Sequence, residues 1–139
     1  MTRSVRAVAL AAAVYGIAGV VFGALAGRAG SEQMVRAWRL AAWLVSFAAF
    51  GAHIAYAQIR QRSSPRMTAV YVASAAAIGA FLLAVAANVH SLMVSAREHA
   101  GALKLSLVVW PVITWLPAFV VALVAAMVLA RARRRTTAL

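Results

Sequence analysis

The chain holds few side chains able to do chemistry. Its only acids are Glu32 and Glu98, with no Asp and no Cys. The lack of cysteine removes thiolate nucleophiles, disulfides and Cys-ligated metals, and paired-carboxylate catalysis within one chain could use only those two acids. There is no Gly-rich phosphate loop, HExxH or Gly-x-Ser-x-Gly motif in the sequence. We therefore predict that the protein is not an enzyme.

One of the three histidines, His53, lies deep in a long apolar segment. An ionisable residue inside a membrane span is a functional candidate by default, as a proton-relay member, an axial haem ligand or a ligand-binding group. The structural alternative is a neutral imidazole that is hydrogen-bonded to a hydroxyl on the next helix. Helical rise places His53 and Ser74 roughly 10 Å inside one membrane boundary, with Tyr15 at a similar depth. The predicted buried polar layer comprises Tyr15, His53, Tyr56 and Ser74.

Haem is the cofactor that the histidines could suggest. Ligation by two histidines requires both at one depth on facing helices. His90 lies about 20 Å from His53 along the membrane normal, so one chain cannot use that pair. A homodimer that supplies His53 from each copy stays geometrically open, and we predict no cofactor for the chain itself.

A second polar cluster surrounds the end of the third apolar segment. His90, Glu98 and His99 could ligate Zn or Cu, but their spacing matches no metal motif, so we predict interfacial solvation and no metal site. Arginine, aromatic and amide side chains at the same level would suit an anionic lipid or a quinone-like head group. The predicted ligand-binding residues are Arg36, Arg39, Trp43, Asn88, His90 and Trp115.

The elements that must position these residues are apolar spans. The 139-residue chain is 65% hydrophobic and 12% charged, against roughly 45–50% and 25% for soluble domains. A spanning helix needs about 20 apolar residues, and four stretches qualify, at about 7–27, 40–59, 68–90 and 105–130. Connections of about 8–12 residues force sequence neighbours to pack antiparallel. The predicted fold is a single all-α integral membrane domain over residues 1–139, a four-transmembrane-helix bundle with up-down-up-down topology.

Basic residues predict the orientation, because they are retained on the cytoplasmic side. The chain has 14 Lys+Arg against 2 Asp+Glu, a net charge of +12. With the N-terminus inside, the inner set is the larger: Arg3, Arg6, Arg60, Arg62, Arg66, Arg131, Arg133, Arg134 and Arg135. We therefore predict cytoplasmic N- and C-termini in a bacterial inner membrane. Topology accounts for the charge without nucleic-acid binding, and contact with anionic lipid is compatible with it.

A cleaved signal peptide is the alternative for the first span. Arg3 and Arg6 precede an apolar run that ends in small residues before Gly27. This run is longer than the usual apolar region of about 7–15 residues, so a retained span is preferred. Cleavage would leave three spans and an outside N-terminus.

Three glycines form a stripe on one face of the first span. Gly19, Gly23 and Gly27 follow one another at four-residue spacing, one turn after Tyr15. Glycine costs about 1 kcal/mol against alanine in a helix, and small residues let helices approach closely in lipid. We predict a helix-packing face here, against an internal helix or another subunit.

The layout resembles that of the small multidrug-resistance exporters, but their membrane-embedded glutamate has no counterpart in the first span. No family is therefore predicted. The expected function is a non-enzymatic accessory or scaffolding subunit that forms a homo-oligomer or joins a larger membrane complex. A small homo-oligomeric transporter or channel is the alternative, and a haem- or quinone-binding electron-transfer subunit is a third.

Overall fold

The structure, a computed structural model, describes residues 3–93 and 100–136. Its helices are α1 (Arg3–Gly27), α2 (Glu32–Ile59), α3 (Pro65–Met93) and α4 (Ala100–Thr136). All four are long and apolar enough to cross a membrane. The prediction of an all-helical chain with four spanning-length helices is thus confirmed, whereas the side on which the termini lie stays a prediction.

The helices form a bundle with α1 and α4 on opposite sides. α1 packs against α2 and α3, α3 packs most extensively against α4, and α2 makes smaller contacts with α3 and α4. Tyr15 lies against Gly79 and Gly19 against Leu83, so α1 and α3 run in the same direction. We call the end where α1 begins and α4 ends the termini end, and the end with the α1–α2 connection the distal end.

Local capping fixes where the helices begin and end. Ser31 caps α2, its Oγ accepting from the Met34 N–H at 3.3 Å, which satisfies one of the orphan donors of the first turn. Arg62 has φ 50° in the α2–α3 connection, a left-handed conformation that turns the chain after a helix end. Pro65 then begins α3, where its fixed φ suits the first helical position.

The packed core lies toward the termini end. Ile54, Ala69, Val72 and Ala122 form one buried cluster from α2, α3 and α4. Every buried residue of α2 falls between His53 and Gln58. Large apolar side chains elsewhere on all four helices are exposed, including Leu10, Phe47 and Leu116. This pattern suits a bundle whose outer surface meets lipid, in which alanine allows close helix contact.

Candidate functional site

A hydrogen-bonded polar group ties three helices together near the termini end. The buried Gln58 side chain donates through Nε2 to Thr68 Oγ1 at 2.8 Å and to the Ser63 carbonyl at 3.2 Å. The Arg133 guanidinium of α4 donates to the Gln58 carbonyl, in the last turn of α2, where carbonyls lack helical partners. We did not single out Gln58 and Thr68 from the sequence, although a polar amide near a span end usually turns inward.

Two polar side chains lie deeper in the bundle, His53 toward the termini end and Tyr15 at the middle of α1, so the similar depth predicted for them is wrong. Tyr15 is 8% exposed and His53 is 6% exposed. Neither Tyr15 Oη nor His53 Nδ1 has a hydrogen-bond partner among the residues that the structure describes. Closer to the termini end, Gln61 Nε2 is also buried without a partner in that part of the chain. The interior therefore contains polar groups that its own side chains do not satisfy.

Tyr56 does not belong to this buried group, contrary to expectation. It is 43% exposed on α2, whereas Ser74 of α3 is half-buried. The buried arc of α2 runs from His53 through Ile54 and Ala57 to Gln58. At about 100° per residue, Tyr56 lies roughly 130° from the centre of that arc. His53 lies at one edge of the arc, and the three-residue step to Tyr56 moves roughly 60° further from its centre.

The glycines of α1 divide into two groups along the helix. A Cβ at Gly16 or Gly19 would meet Leu82 or Leu83 of α3, so these glycines allow α1 and α3 to approach closely. A Cβ at Gly23 would meet nothing within 4 Å, and the same holds for Gly27. The predicted packing stripe thus contacts its own bundle at Gly19 and is open at the two positions nearer the distal end.

The open glycines lie in a groove between α1 and α2, which we call the distal groove. Its volume is about 580 Å³, and it is lined by Gly19, Phe22, Gly23, Ala26, Gly27, Val35, Arg39, Ala42 and Trp43. Trp38 approaches Phe22 with ring centroids 6.1 Å apart. The groove is mainly apolar, with one cation on its wall.

Only two of the six predicted ligand-binding residues, Arg39 and Trp43, line this groove. Arg36 instead pairs with Glu32 at 3.3 Å on the helix surface. Asn88 donates to the Ala84 carbonyl of its own helix at 2.8 Å. The structure thus divides the predicted outer cluster, because α1 rather than α3 forms the second wall of the groove.

The remaining predicted positions lie apart from the groove. His90 is exposed near the end of α3, and Trp115 stacks on Phe119 of α4 with centroids 5.0 Å apart. Glu98 and His99 lie outside the described residues. Within the described ranges, no group of three or more His, Asp or Glu side chains could hold a metal ion.

Comparison with known proteins identifies no relative of this chain. No protein-family model matches the chain, and neither the curated proteins nor the solved structures give a match. The structure itself therefore defines the class of protein: it is all-helical, with four helices long and apolar enough to span a membrane.

Proposed function

We propose that the protein is a non-enzymatic accessory or scaffolding subunit of a membrane complex, and that the distal groove receives a transmembrane helix of another subunit. One observation carries this proposal. A Cβ added at Gly23 or Gly27 would meet nothing within 4 Å, whereas one at Gly16 or Gly19 on the same helix would meet α3.

The physical argument concerns how helices associate in lipid. Apolar side chains gain little by leaving lipid for another helix, so association depends on close backbone approach and polar contacts. Each glycine costs about 1 kcal/mol against alanine, and an intermolecular contact explains their use at Gly23 and Gly27. The groove extends from Gly19 to Gly27, roughly 12 Å or two helical turns, which suits a short helix-helix crossing.

Charge favours a different protein over a second copy as the partner. Arg39 lines the groove and is exposed, and the one acid of α2, Glu32, already pairs with Arg36. Two copies that met through this face would bring their arginines together, with no unpaired carboxylate in the described part of the chain to match them. A partner helix with an acidic or amide side chain at the level of Arg39 would complement the groove.

The non-enzymatic role rests on the interior. His53 is buried, and the carboxylate of Glu32 lies in the first turn of α2, exposed at the distal end. Among the residues that the structure describes, no carboxylate lies beside His53 to orient its ring, which triad-type catalysis requires.

Substitution of the open glycines tests the proposal. Gly23→Leu and Gly27→Leu fill the groove, while Gly51→Leu adds the same side chain at another exposed helical glycine of α2 that also has nothing within 4 Å. After gentle detergent extraction from native membranes, we expect the wild type and Gly51→Leu to retain the same partner and the groove variants to lose it. Partner retention by Gly23→Leu, or a wild-type chain that purifies without any partner, contradicts the proposal.

We infer that the termini end faces the cytoplasm of a bacterial inner membrane. The structure describes the side chains of eight of the nine inner-set arginines. All eight are exposed near this end, on α1, α3, α4 or the α2–α3 connection. Anionic headgroups of the cytoplasmic leaflet would contribute about 1 kcal/mol per arginine at the surface. A reporter that functions only in the cytoplasm should be active when it is fused to the C-terminus. Activity of a C-terminal reporter that functions only outside the cytoplasm contradicts this orientation.

A small homo-oligomeric transporter is the second candidate, because Tyr15 and His53 lie buried without hydrogen-bond partners in the described bundle. Its path would use these two side chains and Ser74. Flux through liposomes that contain the purified homo-oligomer, and its loss in His53→Ala, would favour this function. A wild-type chain without flux, purified together with a partner, favours the scaffolding role.

A further inference from the structure

We propose that Tyr15 and His53 border an internal hydrated site, whose ligand is water and which opens toward the termini end. The site is separate from the distal groove. It does not depend on the scaffolding role, because none of its residues lines the groove.

The first argument is the state of the two polar atoms. Both side chains are more than nine-tenths buried, and among the described residues neither Tyr15 Oη nor His53 Nδ1 has a partner. Buried polar groups in folded proteins are satisfied by protein or by ordered water, since an unsatisfied one is costly. A buried water usually makes about three hydrogen bonds to such groups. Phenol and imidazole each offer a donor or an acceptor to it.

The second argument is their relative level in the bundle. Tyr15 lies against Gly79, and His53 is next to Ile54, which clusters with Val72. Gly79 and Val72 are seven residues apart, roughly 10 Å along α3. Side chains on a helix lean toward its N-terminus. Because α1 and α2 run in opposite directions, Tyr15 leans toward the termini end and His53 leans toward the distal end. The two side chains therefore lean toward each other along the bundle axis.

The third argument is that the two sides of the site along the bundle axis differ in polarity. Toward the termini end, α2 continues with the buried polar side chain of Gln58. The connection that follows α2 contains Gln61, whose Nε2 is buried without a described partner. Gln58 is five residues from His53, roughly 7 Å along the axis. Toward the distal end, the contacts of α1 with α3 are apolar, since Leu82 and Leu83 lie against Gly16 and Gly19. The buried polar side chains next to the site, Gln58 and Thr68, thus lie on its termini side.

Cysteine accessibility tests the hydration and its direction, because the chain has no native cysteine. His53→Cys and Tyr15→Cys are reacted in proteoliposomes with a charged, membrane-impermeant thiol reagent applied from each side. Val72→Cys is the matched control, because Val72 is fully buried in the neighbouring apolar cluster. The exposed Arg135→Cys and Gln33→Cys report the termini side and the distal side.

We expect His53→Cys and Tyr15→Cys to react at least tenfold faster than Val72→Cys, and only from the side on which Arg135→Cys reacts. Reaction no faster than that of Val72→Cys overturns the proposal. Reaction from the Gln33→Cys side also overturns it, because the site would then open toward the distal end.

Tyr15→Phe provides a measurement that does not require a cysteine variant. If water satisfies the hydroxyl, its removal leaves the Tm unchanged or lower. If the hydroxyl is buried dry, its removal relieves an unsatisfied group and raises the Tm by about 3 °C or more, which contradicts the proposal.

Discussion

At the termini end, Ala69, Val72 and Ala122 lie fully buried where α2, α3 and α4 meet, whereas at the distal end α1 and α2 enclose a groove with bare glycine on its surface. Both ends use small residues. The termini end adds interhelical hydrogen bonds from Gln58 and Arg133. The difference indicates that small residues allow close contact where another helix of the bundle lies against them, as α3 does at Gly19, and leave an open surface where none does, as at Gly23.

The largest effect should come from adding one methyl group at a glycine that is covered by another helix, compared with one that lies open in the distal groove. A Cβ at Gly79 would lie 2.5 Å from Tyr15 Cβ, so Gly79→Ala must push α1 and α3 apart. Overpacking of this kind costs about 1–3 kcal/mol. Gly23→Ala meets nothing within 4 Å, and the helix propensity of alanine should stabilise it by up to about 1 kcal/mol. Unfolding in matched detergent micelles measures both, and equal effects would contradict the difference in packing.

Removal of the Gln58 amide should have the next largest effect. Gln58→Leu keeps the side-chain bulk and deletes the hydrogen bonds to Thr68 and Ser63. The loss of a buried hydrogen-bond partner costs about 1–3 kcal/mol, because Thr68 Oγ1 stays buried without its donor. Gln33→Leu, at an exposed position in the first turn of α2, is the control and should be near neutral. Equal unfolding free energies for the two variants would show that the hydrogen bonds of Gln58 do not stabilise the bundle.

The interhelical contact of Arg133 should contribute less. Arg133→Gln loses the charged donor to the Gln58 carbonyl in the last turn of α2, where a cation contributes about 0.3–1 kcal/mol. Arg135→Gln removes the same charge at an exposed position of α4 and separates the contact from net charge. We expect Arg133→Gln to unfold more easily than Arg135→Gln in thermal scans, and the reverse order would contradict the assigned contact.

Hydropathy predicted the four helices, because about 20 apolar residues in succession have one stable form in lipid. Their ends were harder to predict, since α4 runs from Ala100 to Thr136 and extends beyond the predicted 105–130 at both ends. A helix continues past the hydrocarbon boundary wherever its backbone stays hydrogen-bonded, and hydropathy does not register that extension.

The burial of a candidate-site residue could be predicted where its position around its own helix decides whether it faces the bundle interior. His53 and Tyr15 lie inside, but Tyr56, three residues further on, lies outside because the buried arc of α2 ends before its face. The separation of Gly19 from Gly23 depends on how far α3 and α1 stay together, which is a long-range property. No local pattern on α1 reports that Leu83 covers one glycine and not the next.

The smallest effect is expected from the ion pair at the distal end, and it sharpens the comparison most directly. Glu32 and Arg36 pair at 3.3 Å with both side chains largely exposed, one turn apart on α2. Exposed pairs of this spacing contribute about 0.3–0.5 kcal/mol, and salt screens them. Arg36→Gln should therefore change the unfolding free energy less than Arg133→Gln, although both remove one arginine from one hydrogen bond. A double-mutant cycle with Glu32→Gln, at low and high salt, separates the energy of the ion pair from the effect of losing one charge.

If Arg36→Gln were as destabilising as Arg133→Gln, the distal end would depend on its own polar contacts as much as the termini end does. The groove would then have less need of a partner helix.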